Sequence, residues 1–136
     1  MRTSRYLAVT LLFLVGASSA SSGEDIFAGC YSLDNDGEPW IKIEKSEETY
    51  YVSLKDNDGW KESRGLHPGT QPELSEFFEN DSARIKASLV ADKGRFALFH
   101  VQAGETYGGF KAGTDYITYI IIGAGSAYKK DCINSE

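Results

Sequence analysis

Few side chains in this sequence could carry out acid–base or nucleophilic chemistry. The chain has two histidines, His67 in H-P-G-T and His100 in the apolar run F-A-L-F-H-V. A hydrolytic site needs a nucleophile, a base and an oxyanion hole within hydrogen-bond reach of one another. Ser126 stands in G-A-G-S-A-Y, which lacks the final glycine of the G-x-S-x-G nucleophile elbow. We therefore predict no catalytic residue, and we interpret His100 as a core or barrel-lining side chain.

Carboxylates are the remaining source of acid–base chemistry. With 20 Asp and Glu residues in the chain, two carboxylates could act together in glycoside cleavage. The same number of acids is also expected on an ordinary solvated surface, so no particular pair can be identified. The string D-N-D-G begins at Asp34 and again at Asp56, but a calcium loop of the EF-hand type needs a glutamate at its twelfth position. Ile43 and Gly65 occupy those positions, so we interpret both strings as hairpin turns. No grouping has zinc-ligand spacing, and we predict no metal, no cofactor and no enzyme activity.

Residues 1–20 have the layout of a cleavable secretory signal peptide, with early arginines, an apolar run from Leu7 to Val15 and small residues up to Ala20. The apolar run is shorter than the ~20 residues of a membrane span. Cleavage removes two of the 14 basic residues and none of the 20 acidic ones, which leaves 12 against 20 and a net charge of −8. Such a chain should repel nucleic acid and anionic membranes and favour a basic protein partner. Residues 21–136 are long enough for a single domain with its own core.

The two cysteines, Cys30 and Cys132, are predicted to form a disulfide, because two cysteines in an exported chain usually pair. The bond would close a loop of about a hundred residues and stabilise the fold by about 4–5 kcal/mol through chain entropy. The segment I-F-A-G-C, ending at Cys30, also resembles a bacterial lipobox. We expect a periplasmic or secreted protein that reaches a membrane only if Cys30 is lipidated.

Most of the mature chain follows the alternation of apolar and polar residues that is typical of β-strands. In W-I-K-I-E-K, for example, Ile41 and Ile43 alternate with charged residues. The run Y-I-T-Y-I-I-I is apolar on both faces and predicts a strand that is buried on two sides. The predicted strands are Phe27–Leu33, Trp40–Lys45, Thr49–Lys55, Trp60–Leu66, Arg95–Val101 and Tyr116–Ile122, followed by a short return from Ala127 to Cys132.

The hydrophobic period changes after H-P-G-T. Thr70 and Glu73 form a T-x-x-E capping box, so a helix is predicted over Gln71–Glu79. The segment Ala83–Ala91 could continue this helix or form a strand. We favour a strand, because D-K-G then makes a hairpin with the next predicted strand.

Two glycine-rich segments flank the apolar run. Gln102–Asp115 contains four glycines and is predicted to be an irregular, mobile loop. Its aromatic residues Tyr107 and Phe110 have less obvious core to enter than the aromatic residues on the strands, so we consider them candidates for partner contact. Gly123–Ser126, G-A-G-S, is predicted to be a turn.

These elements predict a mainly β domain, a small antiparallel β-barrel or strongly curved sheet with one inserted short helix. The helix is expected to close one end of the barrel. A mixed α+β domain with a single open sheet is the alternative. In the barrel, the predicted disulfide would tie the first strand to the last.

Residues Gly125 to Lys129 read G-S-A-Y-K after a Gly-Ala pair. This segment resembles the S-G-x-x-Y type loop of the periplasmic and membrane-bound inhibitors of c-type lysozyme, small exported β-barrels with linked cysteines near their two ends. The resemblance implies that Ser126, Tyr128 and Lys129 contact the cleft of a lysozyme. In that family the loop lies mid-chain before a W-x-K-G strand, whereas here it lies near the C terminus and the lysine follows the tyrosine.

We therefore expect an exported protein-binding domain, most directly an inhibitor of, or an immunity protein against, a lysozyme-like cell-wall hydrolase. Two alternatives stay open. One is a carrier with an apolar ligand inside the barrel, lined by Tyr50, Phe96, Leu98 and His100, and the other is an envelope structural protein. An empty interior of ~300–1,000 Å³ would favour the carrier, whereas a packed interior would favour the inhibitor.

Overall fold

The computed structural model describes residues 25–61, 63–92, 95–120 and 123–132. The predicted signal peptide lies outside this part of the chain. One α-helix, α1 (Gln71–Phe78), continues into a 3₁₀ helix, Glu79–Arg84. The strands are β1 (Gly29–Ser32), β2 (Ile41–Ser46), β3 (Thr49–Asp56), β4 (Gly59–Trp60), β5 (Arg64–His67), β6 (Ala87–Ala91), β7 (Phe96–His100), β8 (Thr106–Tyr107), β9 (Phe110–Lys111), β10 (Tyr116–Ile120), β11 (Gly123–Ser126) and β12 (Tyr128–Lys130).

The main sheet curves into a nearly closed antiparallel barrel. Its strand order is β11-β10-β7-β6-β5-β3-β2-β1-β12, and β4 pairs only with β3. The two outermost strands, β11 and β12, are separated along the chain by Ala127 alone. One continuous segment therefore pairs with β10 through its first half and with β1 through its second half. This arrangement confirms the predicted mainly β, barrel-like fold with one short helix.

Side chains from the barrel strands fill its interior. Residues directly opposite each other in an antiparallel ladder lie on the same face of the sheet. The inward face of the sheet carries the pair Leu89 and Leu98 and the pair Ile41 and Leu54. Tyr31, Ile41 and Leu98 have 0 % exposure. The buried interior cluster comprises Phe27, Tyr31, Ile41, Ile43, Val52, Leu66, Leu89, Ala91, Phe96, Leu98 and Ala127. The barrel interior is therefore packed.

The helix covers the outside of the barrel and does not close its end, so the predicted position of the helix is wrong. Phe99 points away from Leu98 and packs edge-on against Phe77 and Phe78 of α1, with ring centroids 5.1 and 4.7 Å apart. These rings belong to a second core on the outer face of β6, β7 and β10. The reason is that β7 is apolar on both faces, so its outer face also needs a cover.

Both glycine-rich segments are more regular than the sequence predicts. Gly123–Ser126 is strand β11 and not a turn, and a side chain at Gly125 would contact Leu33 at 3.5 Å. The predicted irregular loop contains the hairpin β8–β9. Its two turn residues, Gly108 and Gly109, both have positive φ, 56° and 88°, as a two-residue hairpin turn requires. Glycine therefore permits strand and hairpin geometry here.

Other element boundaries differ slightly from those predicted. The predicted strand Trp60–Leu66 is divided between β4 and β5. The segment Ala83–Ala91 forms a strand from Ala87 onward, after the 3₁₀ helix, so the preference for a strand is confirmed over β6. The capping box is also present, with Thr70 Oγ1 accepting from the Glu73 N–H at 3.3 Å.

His67 connects the helix to the barrel. Its Nε2 lies 3.0 Å from a Glu73 carboxylate oxygen, and its Nδ1 lies 3.1 Å from Asp92 Oδ1. Both neighbours are acceptors, so both ring nitrogens donate when the imidazole is protonated. The hydrogen bond to Glu73, reinforced by Asp92, raises the pKa of His67 even though partial burial opposes it. The protonated ring therefore joins α1, β5 and the end of β6.

We expect the stability contributed by His67 to fall as the pH rises. The pKa of His67 in the folded state lies above its value in the unfolded chain, which is about 6.5. Protonated His67 therefore contributes its full stabilisation at a pH below the unfolded-state pKa, and this stabilisation is lost as the pH rises through the folded-state pKa. Because 35 % of the His67 side chain is exposed, the effect should be about 1 kcal/mol or less. Urea unfolding at about pH 5.5 and about pH 8.5 would measure it.

The control is His67→Gln, which keeps a hydrogen-bonding side chain without a charge. Burial lowers the pKa of His100, so His100 makes stability rise with pH, opposite to the effect of His67. This effect of His100 is the same in the wild type and in His67→Gln, so it cancels in the difference between the two proteins. An identical pH dependence in the wild type and in His67→Gln would rule out the proposed contribution of His67.

Candidate functional site

A depression lies beside the predicted disulfide, where β1, β12 and the N-terminal segment meet. It has a volume of about 770 Å³ and is open to solvent. We call it the seam depression, because it lies where the closing strand joins the first strand. Its lining residues are Asp25, Ala28, Gly29, Lys129, Lys130, Asp131 and Cys132.

The disulfide holds the two strands of the seam together. Cys30 and Cys132 are bonded, with their Cα atoms 5.3 Å apart, which confirms the predicted pairing. Cys30 is fully buried and pairs across the ladder with Lys130. A disulfide in this position indicates an oxidising compartment outside the cytoplasm.

The N-terminal segment closes the barrel end next to the seam. The Asp25 carboxylate accepts hydrogen bonds from the Phe27 N–H at 2.8 Å and from the Tyr50 hydroxyl at 2.7 Å. The Phe27 side chain enters the interior core. The Tyr31 hydroxyl donates to Phe27 O, and the Tyr116 hydroxyl donates to Ile26 O, each at 2.6 Å. This segment occupies the place that the sequence assigned to the helix.

Lys129 links the closing strand to this segment. It lies opposite Tyr31 in the β1–β12 ladder, and its Nζ donates to the carbonyl oxygens of Asp25 and Ile26 at 3.2 and 3.0 Å. The ammonium also lies 6.0 and 5.8 Å from the ring centroids of Tyr31 and Tyr116. Since a lysine ammonium has three donors, one donor of Lys129 remains for a ligand in the depression.

Asp25 and the three tyrosines that fix the N-terminal segment keep their ordinary charges near neutral pH. Burial opposes ionisation of Asp25, but hydrogen bonds from Tyr50 and from backbone N–H groups outweigh it, so its pKa is lowered. Burial and the hydrogen bond to Asp25 raise the pKa of Tyr50 to about 12. Burial also raises the pKa of Tyr31 and of Tyr116. The phenols therefore stay neutral and act as fixed donors, an arrangement that suits binding.

The structure brings only part of the predicted partner-binding set into the depression. Lys129 and Cys132 line it, but Ser126 and Tyr128 are not among its lining residues. The Ser126 hydroxyl accepts a hydrogen bond from the Gly113 N–H at 2.8 Å. Tyr128 is half-buried opposite Ser32. These residues form a strand and not the free loop that the resemblance implied.

Tyr107 and Phe110 lie on the β8–β9 hairpin, away from the seam depression. Tyr107 is 2 % exposed, and its hydroxyl accepts from the Gln102 N–H at 3.0 Å. The Arg84 guanidinium lies 4.6 Å from the centroid of its ring, while Phe110 is half-buried against the second core. The prediction that these aromatics have less core to enter is wrong, because the helix and hairpin build a core outside the barrel.

Sequence reasoning missed five lining residues of the depression, namely Asp25, Ala28, Gly29, Lys130 and Asp131. Asp25 precedes the first predicted strand and received no role from the sequence, although its carboxylate accepts hydrogen bonds from the nearby Phe27 and Ala28 N–H groups. Gly29 has φ 145°, and a side chain there would contact Lys129 Cε at 3.0 Å. The glycine therefore leaves space for the lysine, which no local pattern indicates.

The described residues contain no group of three or more His, Cys, Asp or Glu side chains that could hold a metal ion. In the same part of the chain, no helix is long and apolar enough to cross a membrane. The D-N-D-G strings lie at turns, where Asp34 O accepts from the Gly37 N–H and Asp56 Oδ1 accepts from the Asp58 N–H.

Comparisons with known proteins do not assign a family. No family model matches the chain, and no curated protein and no solved structure gives a significant match. The function is therefore inferred from the geometry and charge of the site itself.

Proposed function

We propose that the mature chain is an exported protein-binding domain that inhibits a lysozyme-like cell-wall hydrolase, with the seam depression as the contact surface. The observation that carries this proposal is the position of Lys129, an exposed lysine held at the rim of a depression between a disulfide and a packed barrel end. Glycoside hydrolases use a pair of carboxylates in an open cleft. An ammonium presented on a rigid surface is complementary to such a pair.

Rigidity of the contact surface supports this function. The N-terminal segment is fixed by Tyr31, Tyr50 and Tyr116, and the closing strand is fixed by the disulfide. A preorganised surface loses less conformational entropy on binding than a mobile loop does. The packed interior supports the same choice over a carrier, because a ligand inside the barrel would have to displace side chains such as Phe27 and Leu98.

The overall charge supports a basic partner. The whole chain has a net charge of −6, and removal of the two signal-peptide arginines makes it more acidic. Complementary net charge accelerates encounter with a basic enzyme, while individual contacts set the orientation. The disulfide indicates an oxidising compartment outside the cytoplasm, and the periplasm and the extracellular space, where cell-wall hydrolases act, are compartments of this kind.

The decisive variant is Lys129→Met, which removes the ammonium but retains a stem that can pack on Tyr31 and Tyr116. The wild-type mature domain should slow the cleavage of cell-wall polysaccharide by a lysozyme-type enzyme. Lys129→Met should raise the inhibition constant by about tenfold or more, as expected for loss of a buried charged contact. Steady-state assays with purified enzyme and calorimetric titration would measure both quantities.

The matched control is Lys111→Met on β9, an exposed lysine outside the seam depression. It changes the net charge equally and should leave the inhibition constant within about twofold. Thermal melting of both variants would show whether the N-terminal segment stays docked. If the wild-type domain neither slows nor binds c-type and other lysozyme-like hydrolases, inhibition is not its function.

A further inference from the structure

A second depression lies where the ladder between β5 and β6 ends. Among the described residues this ladder has two pairs, Leu66 with Ala91 and His67 with Val90. Beyond Leu66 the β5 strand continues through Gly65 and Arg64, paired only with β3. The opening has a volume of about 470 Å³ and is lined by Arg64, Gly65, Ala91, Asp92 and Arg95. We call it the arginine notch.

The two arginines of the notch have no partner within the described part of the chain. Neither Arg64 nor Arg95 makes a side-chain hydrogen bond or ion pair there, and both are exposed. Arg84 provides the contrast, because it binds Asp81, Glu105 and the Thr106 carbonyl oxygen. In a chain with 20 acidic and 14 basic residues, acids are available to most cations. The guanidinium donors of Arg64 and Arg95 are therefore open to an acceptor from outside the described residues.

Asp92 is the one carboxylate among the described lining residues of the notch, and it already has a partner. Asp92 Oδ1 lies 3.1 Å from His67 Nδ1, and His67 is shared with Glu73. Two arginines therefore line the notch together with one described carboxylate, which interacts with an imidazole. The notch is a locally basic site on an acidic protein.

The backbone at the notch leaves room for a ligand. Gly65 has no side chain, and a Cβ built there would meet only Tyr51 Cε2 within 4 Å, at 3.9 Å. Arginine forks bind carboxylate and phosphate oxygens in a planar, two-point geometry. We propose that the arginine notch binds a small oxyanion, a carboxylate or phosphate group, through Arg64 and Arg95.

This proposal is independent of hydrolase inhibition. The notch shares no lining residue with the seam depression, so either site can fail without the other. The proposed ligand class is any small anion that presents carboxylate or phosphate oxygens. Separate titrations with a phosphate and with a carboxylate distinguish between the two.

The test is an NMR titration of the mature domain with inorganic phosphate and, separately, with succinate. Ionic strength is held constant with chloride. One of the two anions should produce saturable shifts at the amides of Gly65, Ala91 and Asp92, with a Kd of about 1 mM or tighter. Arg64→Gln and Arg95→Gln should each weaken that binding about tenfold, as expected for loss of a charge-assisted hydrogen bond. Arg64→Lys, which retains charge without the fork, should weaken it less.

Two controls keep the result interpretable. Lys111→Gln removes a positive charge elsewhere and should leave the Kd unchanged, whereas Gly65→Val should narrow the notch and abolish binding while the barrel stays folded by circular dichroism. Non-saturable shifts with both anions, or shifts that persist in the Arg64→Gln and Arg95→Gln double variant, would overturn the proposal.

Discussion

Replacing Cys30 and Cys132 together by alanine should lower the free energy of unfolding by about 4 kcal/mol. The bond joins residues separated by 102 positions, so its removal restores nearly the full conformational freedom of the unfolded chain. A domain of this size has a total stability of about 5–15 kcal/mol. The change should therefore shift the urea midpoint strongly, and unfolding curves at neutral pH would measure it.

Alanine is the appropriate replacement because Cys30 is fully buried and a serine hydroxyl there would need a hydrogen-bond partner. Wild-type protein unfolded with and without a reductant provides a second measurement of the same quantity. Both comparisons should agree within about 1 kcal/mol. A loss below about 1 kcal/mol in both would show that the strand ladder alone holds the seam, and the rigid contact surface would lose its main support.

Truncation of Phe99 to alanine should cost about 3–5 kcal/mol. Phe99 is fully buried, and its ring packs edge-on against Phe77 and Phe78, which adds to the simple burial of its area. The cavity would lie between α1 and the barrel. We therefore expect amide exchange in α1 to accelerate more than exchange in the barrel strands, and urea unfolding together with hydrogen exchange would measure both effects.

Phe110→Ala is the matched control, since Phe110 is the same residue type at the half-buried edge of the same core. Its cost should be less than half that of Phe99→Ala, because less apolar area leaves water there on folding. Equal costs for the two substitutions would show that the second core does not depend on the helix contact at Phe99.

Local patterns in the sequence predicted most of the strands. Alternation placed Ile41 and Ile43 inside the barrel, as observed, because the side chains of a strand alternate with a period of two. The capping box of Thr70 and Glu73 predicted the start of the helix, because its hydrogen bonds span only three residues. The disulfide between Cys30 and Cys132 could be predicted without structural information, since a chain with two cysteines has one possible intramolecular disulfide.

Glycine-rich segments were the main source of error in predicting the fold. Glycine permits turns, strands and close contacts alike, so G-A-G-S does not indicate that Gly125 faces Leu33 inside a closing strand. The same ambiguity hid the hairpin around Gly108. It also made Tyr107 resemble a surface residue, although the helix buries it in the second core.

The candidate site was only partly predictable. Lys129 and the two cysteines were identified from sequence, but Asp25 and Gly29 were not. Lys129 meets Asp25 because β12 pairs with β1, and such a pairing between the two ends of the chain leaves no local signal. Arg64 and Arg95 likewise come together only because β5 and β6 are neighbours.

The sequence by itself determined the alternating strands, the capped helix, the acidic charge and the disulfide, since each depends on composition or on residues a few positions apart. Only the tertiary structure decided that α1 covers the outside of the barrel, that the N-terminal segment closes its end, and that the seam depression and the arginine notch exist. The physical reason is that these features depend on which strands pair and which faces they bury. Those choices are made by the whole chain as it folds around two cores, one inside the barrel and one outside it.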